Sequence, residues 1–153
     1  MRKAILFDLD DTLLDFHRSE RDAIKKTLSS FGIEADDAMM EYYSRVNDSQ
    51  WKLLEKGELT RDQVLTRRFE IFYAGIGKPG IDPDETWRRY EHNLSESWYY
   101  IDGAEELLSE MCRDYELYIV SNGTASVQDG RIAASGIGKY FKDIFISQRI
   151  GFN

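Results

Sequence analysis

Residues 4–15, AILFDLDDTLLD, run an apolar stretch straight into four acids within eight positions. An apolar run without polar alternation is the pattern of a strand buried on both faces, which is how strands sit in parallel sheets. Parallel strands need long crossovers, so this one feature already points to an α/β arrangement. The acids are a second constraint. Carboxylates packed this closely repel one another, and nothing in fold stability asks for them at the end of a buried strand. The cluster calls for a cation or for chemistry.

The rest of the chain supplies the crossovers. Lys3 to Phe7 is the first predicted strand. From His17 the pattern turns helical, with Ala23, Ile24, Thr27, Leu28 and Phe31 on one face and Gly32 as a C-terminal cap. A second helix is expected from about Asp36 to Glu55, stopping at Gly57, although Asn47-Asp48-Ser49-Gln50 blurs its pattern. Thr60 and Gln63 form a capping box ahead of Leu65, Phe69 and Phe72. Asp82 caps a further helix with Pro83 at its first position, and Asp102 is expected to cap another that turns Leu107, Leu108 and Met111 inward. Glu116 to Val120 is strand-like, SNGT and a helix to about Ser135 follow, and residues 142–147 read as a third strand. The tail QRIGFN is expected to be irregular. The reading is an α/β core, residues 1–15 and 99–153, with an all-helical insertion, 16–98, after the first strand.

Composition narrows the function. The 153 residues suffice for one domain or a small domain with an insertion. A net charge of −8 argues against nucleic acid or an anionic membrane as partner. No apolar run approaches the ~18 residues of a membrane span, the start does not read as a signal peptide, and the lone Cys112 suits a reducing compartment. The expected location is the cytoplasm.

In open α/β sheets ligands sit beyond the carboxyl ends of the strands. DLDDT stands there after the first strand and SNGT after the second. Asp8 and Asp10, two apart on an extended chain, can point into one crevice, and Mg²⁺ is the usual relief for such a pair when phosphate is present. A carboxylate so placed can attack phosphorus to form an aspartyl-phosphate, and a neighbouring carboxylic acid can protonate the leaving oxygen. Ser121, Asn122 and Gly123 offer donors for phosphoryl oxygens near the start of a helix.

FDLDDTLLD resembles the first motif of the haloacid-dehalogenase superfamily, Asp-x-Asp-x-Thr, and IVSNGT resembles its second. The resemblance implies a Rossmann-like parallel-sheet core with a helical cap in the insertion. It also implies Mg²⁺-dependent hydrolysis of a small phosphate monoester. By it Asp8 is the nucleophile and metal ligand, and Asp10 is the general acid/base, lending its backbone carbonyl to the metal. Thr12 supports the loop, and Ser121, Asn122 and Gly123 hold the phosphoryl group. Trp51, Gly57 and Arg68-Phe69, with the helix containing Gln128 and Arg131, look most like the bacterial 5′-nucleotidases that act on pyrimidine monophosphates.

Two features of the superfamily are not found. The sequence stops at IGFN, one residue short of the third-motif lysine, and the fourth-motif acids are absent. It therefore resembles the N-terminal part of such an enzyme, and is expected to be nearly inactive by itself, with Lys3 to Phe7 left as an edge of the sheet. The alternatives are a sugar- or glycolate-phosphate phosphatase and a catalytically incomplete fragment. A dehalogenase fits less well because Asp10 is present, and a phospho-accepting signalling module has no place for the insertion. Asp11, Asp15, His17 and Cys112 read as structural residues, and Trp51, Trp87 and Trp98 as core.

Overall fold

The computed structural model describes residues 3–151, and the chain divides into two compact units, Met1–Ala23 with His92–Asn153, and Ile24–Glu91. The first unit holds three parallel strands, β1 (Ala4–Phe7), β2 (Glu116–Ser121) and β3 (Asp143–Ile146), in the order β1-β2-β3. Phe7 lies opposite Ile119, Ile119 opposite Ile144, and Ser121 opposite Ile146. This register puts Leu117, Ile119 and Ile146 on one face, buried together with Leu9, Leu13, Leu14, Leu108 and Ile137.

The other face departs from expectation. β1 is not buried on both sides: Leu6 is 64% exposed, and Val120 and Phe145 are 38% and 37% exposed on the same face. Period-2 alternation sends these residues away from the core, and among the described residues β1 pairs with β2 alone.

Helices α5 (Ala104–Met111) and α6 (Ala125–Ser135), followed by a 3₁₀ turn at Ile137–Tyr140, supply Leu108, Ile132 and Ile137 to the covered face. Asp102 does not cap α5. Gly103 holds the cap position at φ 78, with no side-chain bond to the helix, in a left-handed conformation that glycine adopts without a Cβ penalty. Nor is the tail wholly irregular. α7 (Ser147–Ile150) is one helical turn ending at Gly151, and the last two tail residues lie outside the described residues.

The second unit is helical: most of α1 (Phe16–Ser29), α2 (Asp37–Glu55), α3 (Arg61–Gly75) and most of α4 (Pro83–Ser95). Asp36 caps α2 through the Met39 N–H, and Thr60 and Gln63 form both halves of the capping box on α3. Aromatic rings fill the interior. Tyr43 stacks on Phe69 at 5.8 Å and meets Phe72 edge-on at 5.7 Å, and Tyr90 meets Phe69 at 5.7 Å. The polar run 47–50 leaves α2 unbroken, and Asn47 at its start is used across the helix pair. Asn47 Oδ1 accepts from Arg68 Nη1 at 2.8 Å and from Trp51 Nε1 at 3.1 Å, which offsets the cost of burying Asn47 and Arg68. Among the described residues no helix is long and apolar enough to cross a membrane.

Candidate active site

β1 ends in a tight turn that fixes its acids. Leu9 is buried, and its carbonyl accepts from the N–H groups of Leu13 and Leu14, both at 3.0 Å. Leu9 is anchored inward and Asp8 before it is exposed, whereas the Asp10 carboxylate after it reaches Gln128 and Arg131 of α6. Asp11 stands at φ 57, its N–H on the Leu14 carbonyl at 2.8 Å. Its carboxylate accepts from the Phe16 N–H at 2.9 Å and lies 3.4 Å from His17 Nε2, so it serves the entry to α1. Thr12 is exposed in the same turn.

β2, the neighbour of β1, ends at Ser121, whose side chain is buried. The Ser121 Oγ accepts from the Gly123 N–H at 3.2 Å and from Gln128 Nε2 at 2.8 Å. A hydroxyl has two acceptor positions and one donor. Both acceptor positions are thus taken, and the O–H is left to donate. Asn122 is exposed beside it.

Gln128 and Arg131, one turn apart on α6, join the two strand ends. Gln128 Nε2 donates to Asp10 Oδ2 at 2.7 Å, and Arg131 Nη1 is ion-paired with Asp10 Oδ1. Arg131 also donates to Gln128 Oε1 at 3.2 Å and, through Nε, to the Ser97 carbonyl at 3.2 Å, and its guanidinium lies 5.6 Å from the Phe16 ring centre. Its side chain is 0% exposed, yet Nη2 has no partner among the described residues. Gly123 is required here, because a Cβ on it would lie 2.3 Å from Gln128 Nε2.

The Asp8 carboxyl is held above its usual range. Desolvation is the largest cause; a hydrogen bond from the Leu9 backbone lowers it in part, and the charges of Asp10 and Asp11 raise it further. A cation beside Asp8 would offset that repulsion. Each Asp10 side-chain oxygen is held by α6, so the donors that would meet a metal are the Asp8 carboxylate and the Asp10 backbone carbonyl. An all-oxygen set of that kind fits a hard divalent cation. Among the described residues no group of three or more carboxylate, histidine or cysteine side chains is assembled to complete a shell.

Residues 5–153 match the haloacid dehalogenase-like hydrolase family. The chain belongs to that family. Among relatives of the hydrolase, it is 36% identical over 152 residues to the HAD-hydrolase YfnB of Bacillus subtilis, covering 98% of this chain and 63% of that one. It is 35% identical over 149 residues to the pyrimidine 5′-nucleotidase PynA of Streptococcus pneumoniae, covering 97% and 62%. The family member described here thus spans under two thirds of the length of these relatives. A crystal structure of YfnB bound to magnesium superposes with a TM-score of 0.94 at 35% identity, over 99% of this chain and 66% of that one. The L-2-haloacid dehalogenase of Xanthobacter autotrophicus shares the fold, with a TM-score of 0.65 at 18% identity, over 99% and 59%.

The strand ends therefore bring Asp10 and Ser121 into one hydrogen-bonded network, with Asp8 two residues before Asp10. Sequence reasoning gives Gln128 and Arg131 no chemical role. Their helix contributes to the resemblance to the 5′-nucleotidases, but a spacing of three that puts two polar groups on one helix face assigns neither a role.

Proposed function

We propose that the chain carries the nucleophile and phosphate-holding part of a Mg²⁺-dependent phosphate-monoester hydrolase that works through an aspartyl-phosphate on Asp8, with nucleoside 5′-monophosphates as substrates. The observation that carries the chemistry is the Ser121 hydroxyl, its acceptor positions filled by Gly123 and Gln128, left as a donor on the strand next to Asp8. The nucleotide as substrate is supported by the likeness to the pyrimidine nucleotidase at 35% identity.

Asp8 attacks phosphorus; the phosphorus–oxygen bond to the leaving group breaks as the Asp8–phosphorus bond forms. Asp10 hands a proton to the departing oxygen. It then takes one from the water that cleaves the acyl phosphate and releases Asp8 and inorganic phosphate. Ser121 orients the phosphoryl oxygens through its O–H, with the Gly123 N–H holding its Oγ. Asp8 and the Asp10 carbonyl would hold Mg²⁺, which supplies charge neutralisation for the approach of an anionic ester to a carboxylate.

The test, in an enzyme of the relatives' full length that carries these residues, is release of inorganic phosphate from uridine 5′-monophosphate, ribose 5-phosphate and glycolate phosphate, with Mg²⁺ and with EDTA. Asp8→Asn is expected to abolish release, and Asp10→Asn to slow it by ~10²–10⁴-fold. Undiminished turnover by Asp8→Asn rules out the nucleophile, and a preference for either smaller ester rules out the nucleotide.

A further inference from the structure

From the arrangement around α6 we infer that Gln128 and Arg131 are positioning residues, a clamp that holds the Asp10 carboxylate by both oxygens and ties it to the Ser121 hydroxyl. The catalytic part of the inference rests on the phosphatase reading; the clamp itself is a feature of the structure.

A free aspartate side chain turns about two torsions, so a proton donor on it points at the leaving oxygen only part of the time. Here the carboxylate plane is fixed at two points, by Arg131 Nη1 on Oδ1 and by Gln128 Nε2 on Oδ2. The clamp is itself braced. Arg131 donates onward to Gln128 Oε1 and to the Ser97 carbonyl, while the Gln128 amide donates its second hydrogen to Ser121 Oγ. Both clamp residues are shut off from water, with Arg131 0% and Gln128 1% exposed. One amide thus sets the acid of the first motif and the hydroxyl of the second at once.

Stability is a poor reason for this arrangement. A buried ion pair often adds nothing over apolar residues of the same volume, and an unpartnered buried donor such as Arg131 Nη2 is a further cost. Such a cost is retained where the charge does something for the site. Holding a reacting group within a fraction of an ångström is worth orders of magnitude in rate.

Leaving-group dependence separates a positioning role from a structural one. The alkoxide leaving from uridine 5′-monophosphate needs the Asp10 proton, whereas the phenolate leaving from p-nitrophenyl phosphate scarcely does. Arg131→Met is expected to lower kcat on the nucleotide by roughly tenfold or more while KM moves less than about threefold, and Gln128→Met, which also frees Ser121, to add a loss common to both esters. The loss on the aryl ester should be much smaller, and Arg131→Lys should recover part of the difference. In an Asp10→Asn background the difference between the two esters should no longer respond to Arg131→Met. Equal losses on both esters, or the same selective loss without the Asp10 carboxylate, overturn the positioning role.

A second measurement needs no turnover. In protein labelled with ¹⁵N-arginine, the clamped Arg131 guanidinium is expected to give separate, slowly exchanging Nη signals that merge in Asp10→Asn. Signals that ignore Asp10→Asn overturn the clamp, whatever the turnover. Failure of an enzyme of the relatives' full length that carries these residues to hydrolyse either ester, with the Arg131 signals still tied to Asp10, overturns the phosphatase reading and leaves the clamp standing.

Discussion

Asp11 is the one non-glycine among the described residues with a positive φ, at 57. An L-residue pays roughly 1–2 kcal/mol for that conformation, less for Asp and Asn, whose short side chains bond locally. The return is visible: the carboxylate accepts from the Phe16 N–H and starts α1 in the direction the turn requires. Asp11→Asn is therefore expected to keep nearly all stability. Asp11→Gly relieves the backbone and loses the acceptor, a loss of about 1 kcal/mol or less. Asp11→Ala keeps the strain and loses the acceptor, costing ~1–2 kcal/mol. Thermal unfolding of the three variants gives the order, and an alanine variant as stable as the asparagine one contradicts it. The same residue shows what a sequence can and cannot say. That Asp11 is structural is readable from its place before a helix. That it is left-handed is not, because the turn geometry comes from the burial of Leu9, Leu13 and Leu14 below it.

Tyr73 brings a pH dependence to the helical unit. Its hydroxyl pairs with Thr86 Oγ1 at 3.1 Å, linking α3 to α4, and burial raises its ionisation above the ordinary 10.0, opposed in part by that hydrogen bond and by Arg89. In the unfolded chain the phenol loses its proton first. The unfolded state then binds fewer protons than the folded one, so stability is whole below pH ~10 and falls as pH rises toward the folded value. Tyr73→Phe should flatten that alkaline loss and cost about 1 kcal/mol at neutral pH, measured by denaturant unfolding at several pH values; an unchanged slope would exclude Tyr73 as its source. The elements themselves were largely legible. Caps at Asp36, Thr60 and Gln63 are chemistry of adjacent residues and could be read directly, as could the parallel sheet interrupted by helices. The failures came where distant residues decide. Asn47 stays helical because Arg68 meets it from another helix, and Gly103 displaces Asp102 as the cap. The joining of Asp10 to Ser121 through α6 belongs to this second class.

Across the whole molecule, apolar residues of one size carry very unequal weight. Leu108 is fully buried against the sheet and Leu6 is 64% exposed on the opposite face. Leu108→Ala should cost 2–5 kcal/mol by the usual range of buried truncations, about as much as a small domain can lose. Leu6→Thr should stay within about 0.5 kcal/mol, and chemical denaturation of the pair checks the contrast. The order of the strands also has a consequence in time. Ala4 is paired with Glu116 and Phe7 with Ile119, so joining β1 to β2 closes a loop of about 110 residues, an entropic toll near 4 kcal/mol before any contact repays it. The helices of Ile24–Glu91 meet neighbours close in sequence and face no such delay. During refolding, fluorescence from Trp51 and Trp87 in a Trp98→Phe variant should recover first. Fluorescence from Trp98, with the other two replaced by Phe, should lag. If the two signals rise together, the helices wait for the sheet; if they separate, Asp8 and Ser121 become neighbours only in the last stage of each molecule's folding.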